Sequence, residues 1–173
     1  MSDSLAGLEK IIPPDGSEES PYVCGEEPCR LEVKPGQKFA ARGWDPTSGP
    51  DTCAVIGEPG SFLAAEMRSG TVSVSGDCRS VGAYAGYRMC GGHLDIDANT
   101  VGDYVGAFMC AGEIHVSCGN APRYVGFHMS GGTIYIHGDI GDWAGLFAVD
   151  GEVVFDRKVH GDHGNLGVAH RAS

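Results

Sequence analysis

No stretch of this chain is long and apolar enough to span a membrane, and its first residues, MSDSLAGLEK, lack a signal-peptide core; both point to a cytoplasmic protein with no membrane partner. Basic residues are scarce. Twelve Lys and Arg stand against 23 Asp and Glu, a net charge of −11, and there is no basic stripe to neutralise phosphates, which excludes nucleic acid as a partner. The 3.6-residue periodicity of packed helices is missing, and aromatics are only 8% of residues, so a helix-packed core is excluded. Neither the phosphate-binding G-x-x-x-x-G-K-[ST] nor the nucleophile elbow G-x-S-x-G occurs.

What the chain has is glycine, 28 of 173 residues, and a repeat. One unit of about 20 residues is written five times between residues 60 and 156: GSFLAAEMRSG (60–70), GAYAGYRMCGG (82–92), GDYVGAFMCAG (102–112), PRYVGFHMSGG (122–132) and GDWAGLFAVDG (141–151). A short segment follows each, with apolar residues at alternate positions: Val72 and Val74, Leu94 and Ile96, Ile114 and Val116, Ile134 and Ile136, Val153 and Phe155. Polar residues such as Ser73, Asp95, His115 and Tyr135 stand between them. That period of two predicts half-buried strands with one face inward.

Three further columns run through the units. Phe62, Tyr84, Tyr104, Tyr124 and Trp143 share one position; Met67, Met89, Met109, Met129 and Ala148 share another; Ala64, Gly86, Gly106, Gly126 and Gly145 share a third. Stacking like on like from coil to coil accounts for all of them, with the Met and aromatic residues as core ladders and small residues where the backbone turns or approaches closely. The expected fold is all-β: a right-handed single-stranded parallel β-helix of about five coils, each roughly 20 residues. The recurring G-x-x-x-G spacings, Gly82 to Gly86, Gly102 to Gly106 and Gly141 to Gly145, are then turn glycines and not a dinucleotide site.

The flanks do not fit the unit. Residues 1–30 read as an acidic, Pro-containing extension, 31–59 as an N-terminal cap with two short strands joined at Lys34-Pro35-Gly36, 60–156 as the β-helix and 157–173 as a solvated or partner-bound tail. Cys90 and Cys110 fall in one column and are expected as stacked, buried thiols. Cys78 and Cys118 lie at coil turns. Cys24 and Cys29 form C-x4-C, but only Cys53 is near, and a closed zinc site needs four ligands. No metal or cofactor is expected in this chain.

A catalytic site breaks a repeat, and no residue set here does so convincingly. Asp95, Asp97, Asp103, Glu113, His115, His137 and Asp139 lie at outward positions and read as a solvated polar face, although carboxylates with a His have acid–base capacity. Arg88, Phe108 and His128 share the position before the Met and read as a docking surface. Arg123, His160 and His163 are further candidate partner contacts.

The segments SVGAYAGYRMCGG (80–92), VGDYVGAFMCAGEIHV (101–116) and MSGGTIYIHGDIGDWAG (129–145) resemble the glycine-repeat (GXGXG) β-helix shared by the β-helical subunit of formylmethanofuran dehydrogenase and the C-terminal domain of the glutamate synthase large subunit. The resemblance covers about residues 54–156. It implies a non-catalytic scaffold in a hetero-oligomeric enzyme of one-carbon metabolism and methanogenesis, or in a related formyl-transfer and hydrolysis complex, with pterin-metal and metal–sulfur cofactors confined to larger partner subunits. The alternative it implies is a β-helix subunit in an amidotransferase and flavin complex of glutamate synthase type. Met dominance in its column favours the first branch. A stand-alone polysaccharide-active β-helix enzyme is a third reading, disfavoured because a secretion signal and clustered acidic calcium ligands are missing.

Overall fold

In the computed structural model of the chain, the described residues are 22–23, 29–44, 46, 51–74, 78–162, 164 and 168–172. Cys24, His163 and nearly all of the 1–30 extension lie outside them. The described chain is all-β, a solenoid of parallel strands. Its main wall is a nine-stranded sheet made by β1 (Tyr22–Val23), β2 (Cys29–Gln37), β3 (Thr52–Pro59), β4 (Thr71–Val74), β6 (Cys90–Asp97), β8 (Ala111–Ser117), β9 (Ser130–His137), β10 (Asp150–Phe155) and β11 (Ala169–Arg171), in that spatial order. β1 pairs antiparallel with β2; every later pair is parallel, giving about seven turns.

The alternation in the sequence decides the register. Cys29, Cys53, Val72, Leu94, Ile114, Ile134, Val153 and Ala169 are successive partners, and Leu31, Val55, Val74, Ile96, Val116, Ile136 and Phe155 form a second inward column. All of these are buried. A slip of one residue would turn both columns to solvent, so burial itself pins the ladder.

A second wall consists of turns. In each of six coils three alternate residues have positive φ: Phe39, Ala41 and Gly43; Phe62, Ala64 and Glu66; Tyr84, Gly86 and Arg88; Tyr104, Gly106 and Phe108; Tyr124, Gly126 and His128; Trp143, Gly145 and Phe147. Their amides bond the neighbouring coils: Tyr104 N–H donates to Arg123 O, Gly106 N–H to Ala85 O and Phe108 N–H to Phe127 O. Side-chain-bearing residues in the left-handed region cost about 1–2 kcal/mol each. Ring stacking offsets that cost. Phe39, Phe62, Tyr84, Tyr104 and Tyr124 are half-buried and stack in sequence at 4.7–5.0 Å between centroids.

The two walls meet in the core. Met67, Met89, Met109 and Met129 are fully buried, each with its methyl group close to the strand glycine of the next coil (Gly92, Gly112, Gly132, Gly151), which leaves no room for a Cβ there. Gly106 lies against the Ile134 side chain in the same way. Gly82, Gly102 and Gly141 have ordinary φ and are required instead by close backbone approach; a Cβ on Gly102 would meet Ala83. A third, short wall pairs β5 (Ser80–Val81) with β7 (Thr100–Val101). One coil further on, the Asn120 amide takes the place of a strand: Val101 N–H donates to Asn120 Oδ1 at 2.9 Å and Asn120 Nδ2 donates to Val101 O at 2.7 Å.

The five sequence copies are the middle of this solenoid, and the flanks extend it. Residues 29–37 form one strand, not two short ones, and Phe39, Ala41 and Trp44 take the aromatic, small and Met positions of an added coil. The large indole in the thioether column hid that coil from a reading anchored on Met. At the other end β11 adds a strand to β10, Ile140 bridges Val159, and the described part of the tail is thereby built into the last coil.

Candidate functional site

Outward positions of the main sheet form columns as regular as the inward ones. Thr71, His93, Glu113 and Thr133 are successive partners in one, and Ser73, Asp95, His115 and Tyr135 in the next. Where β6 meets β8 the columns produce a two-by-two tile of alternating His and carboxylate. Along the strands His93 Nε2 lies 3.0 Å from Asp95 Oδ1, and His115 Nε2 lies 2.7 Å from Glu113 Oε1. Across them His93 Nδ1 is 3.7 Å from Glu113 Oε2, and the two imidazoles lie 5.0 Å apart on the diagonal.

The tile is half-buried, with side-chain exposures of 35% for His93, 44% for Glu113 and 31% for His115. The hydrogen bond from His115 holds the Glu113 carboxyl below its ordinary range, against the opposing effect of desolvation. His93, Glu113 and His115 each offer one ligand atom within 4.8 Å of the other two. The ring of His115 continues outward to Tyr135 at 4.5 Å and to His137 at 5.7 Å. Sequence reasoning named Asp95, Glu113 and His115 as outward residues but missed His93, which sits directly opposite Glu113 in the parallel register. The alignment of the strands on Ile and Leu was the signal that would have found it.

A second surface runs along the corner where the turn wall ends. Arg88, Phe108, His128 and Phe147 occupy one left-handed column. Phe108 stacks on His128 at 5.2 Å, His128 packs on Phe147 at 5.1 Å, and Arg88 lies over the Tyr87 ring at 5.3 Å. Phe127 makes edge contacts with both Phe108 and Phe147. Phe147 is 60% exposed and Val149, two residues on, is 82% exposed. Phe147 and Val149 were not singled out from the sequence, although the alignment already puts Phe147 in the Arg88 column.

The other candidate contacts are tied to the solenoid. Arg123 grips Asp103 of the preceding coil through Nε at 3.1 Å and a terminal nitrogen at 2.7 Å, which raises the guanidinium pKa. His160 Nε2 lies 2.7 Å from Asp139, whose carboxyl is held below its ordinary range first by His160 and then by the Lys158 amide. The described cysteines fall into three pairs. Cys29 and Cys53 are directly paired members of an inward core column, so they do not face outward as a metal set. Cys90 and Cys110, expected as buried thiols, are exposed and joined by a disulfide, with Cα atoms 5.0 Å apart. The reason is local: the preceding Met side chains point inward, so the next residue must point out. Cys78 and Cys118 line the third wall, where burial pushes both thiols up.

Among the described residues no helix is long and apolar enough to cross a membrane. Comparison with protein-family models, with curated proteins and with solved structures finds no match to this chain in any of the three.

Proposed function

We propose that this chain is a non-catalytic β-solenoid scaffold in a hetero-oligomeric cytoplasmic enzyme complex, of the formylmethanofuran dehydrogenase type or a related formyl-transfer and hydrolysis complex. In this reading the coil winds right-handed, the usual hand of parallel crossovers. The chain carries no redox cofactor of its own, and pterin-metal and metal–sulfur groups belong to larger partner subunits. The family part of the proposal rests on the recurring unit of glycine, aromatic and Met positions followed by an alternating strand.

The observation that carries the scaffold part is the exposed apolar corner of Phe108, Phe147 and Val149, next to Arg88 and His128. Left-handed backbone at each position of the Arg88 to Phe147 column fixes those side chains on a rigid edge. Exposed apolar side chains held rigidly in that way suit a permanent subunit interface.

Native purification from the source cells tests the proposal. Larger catalytic subunits are expected to accompany the chain, and the double variant Phe147→Ser with Val149→Ser is expected to lose them while keeping its circular dichroism. Which subunits appear separates the branches: pterin-dependent dehydrogenase subunits support the one proposed, glutaminase and flavin subunits the glutamate synthase type. A chain that purifies alone, or turns over a uronate polymer by itself, overturns the scaffold reading.

A further inference from the structure

We propose that the outer face of the main sheet binds one divalent first-row transition-metal ion, with His93, Glu113 and His115 as ligands and Asp95 as the residue that orients His93. The proposal is independent of the assembly reading above. It also departs from the expectation of a metal-free chain, which rested on the dispersal of the cysteines; none of the residues in this tile is a cysteine.

Three observations converge. The ligand atoms lie within 4.8 Å of one another. Donors around a zinc-sized ion sit about 2.0–2.2 Å from it, hence roughly 3–3.5 Å from each other, so small side-chain rotations on fixed strands complete the set. Second, two imidazoles and one carboxylate suit zinc, cobalt, nickel or copper, whereas calcium and magnesium prefer oxygen ligands throughout. Third, His93 is already oriented. Its Nε2 is engaged by Asp95 at 3.0 Å, which leaves Nδ1 directed at Glu113, 3.7 Å away. A carboxylate holding the remote nitrogen of a ligating imidazole is the usual outer-shell arrangement of a metal site.

The rest of the molecule supplies internal controls. His137 with Asp156, His160 with Asp139 and His170 with Glu152 are two-member pairs at 3.7, 2.7 and 2.9 Å. Among the described residues, His93, Glu113 and His115 are the set of three that converges. On binding, the ion takes the place of the proton shared between His115 Nε2 and Glu113, with release of that proton to solvent. Half exposure leaves the remaining coordination positions to water or to an oxygen or nitrogen donor from outside. The site is therefore open, and the two rigid strands fix its shape.

The experiment titrates the full chain, stripped of metal, with zinc by calorimetry and with cobalt(II) by visible absorption. One equivalent is expected, with cobalt d–d bands and no thiolate-to-cobalt charge transfer. His93→Gln and His115→Gln should each weaken binding at least about tenfold, and Asp95→Asn about 10- to 100-fold through loss of orientation. His160→Gln and His170→Gln should leave affinity unchanged. Circular dichroism and melting confirm that each variant is folded; all these side chains face outward, so the core is untouched. Absence of saturable one-equivalent binding overturns the proposal. So does a thiolate charge-transfer band, or a His93→Gln, His115→Gln double variant that binds as the parent does.

Discussion

The main sheet and the wall of turns are read from the same repeat, yet they specify structure by different means. In the sheet, alternation is enough: any β-branched or large aliphatic residue facing inward keeps the register, and outward positions vary from Thr to His to Glu without cost to the ladder. In the turns, backbone conformation is the constraint. Each coil needs three left-handed residues at alternate positions, and the chain fills most of them with glycine where a neighbouring side chain presses in and with aromatics whose ring contacts compensate the strain, leaving Ala41, Ala64, Glu66 and Arg88 in the rest. A sheet position therefore tolerates what a turn position refuses, and the reverse.

The largest effect should come from breaking the sheet's inward rule. Ile114 is fully buried between Leu94 and Ile134, so Ile114→Asp buries an unpaired charge and should cost on the order of 4–5 kcal/mol in urea denaturation. Gly106→Val attacks the turn wall instead, at a φ of 65° with the Ile134 side chain in the way. Strain and overpacking together should cost about 2–4 kcal/mol. If either variant melts with the parent, the division of labour between the walls is wrong.

A sharper comparison pits alanine against glycine on each wall. At Tyr104, with φ 65°, glycine relieves the left-handed strain and alanine keeps it, so Tyr104→Gly should be more stable than Tyr104→Ala by about 1 kcal/mol. At Thr133, on the outer sheet face, the order should invert by about 0.5–1 kcal/mol because glycine there only adds chain entropy. Thermal melts of the four variants decide it; the same order on both walls would remove the distinction.

The smallest effect is electrostatic and lies outside both ladders' backbones. Glu113 and Asp139 have carboxyl pKa values lowered in the folded chain, first by hydrogen bonds from His115 and His160. Depressed carboxyl values contribute stability above the unfolded range, and that stability is lost as pH falls through the folded values. Urea midpoints should therefore decline as pH drops below the ordinary carboxylate range, and the decline should shrink in the double variant His115→Gln, His160→Gln. An unchanged acid limb would show that these partly exposed pairs couple too weakly to matter.

Much of the architecture was legible because a repeat compares the chain with itself. The inward pairs from Val72 to Phe155 align in the sequence as they do in space. The flanking coils were not legible, because Trp44 stands in the Met column and Cys29 and Cys53 in the aliphatic one. Both substitutions keep the position buried and change the letter. The His–carboxylate tile was half legible: its residues were visible as outward positions, but their convergence depends on which strand lies beside which, and parallel register alone brings His93 opposite Glu113.

The sequence by itself determined that this chain would be all-β, that its coils would stack and which side of each strand would face the core, since a period of two with apolar residues in every copy admits one buried face. Only the tertiary structure decided that aromatic residues sit at positive φ, that Cys90 and Cys110 point outward into a disulfide, and that two histidines and a glutamate meet on one face. Those outcomes depend on contacts between residues about 20 positions apart, made by the spacing of neighbouring coils, and no local pattern carries that distance.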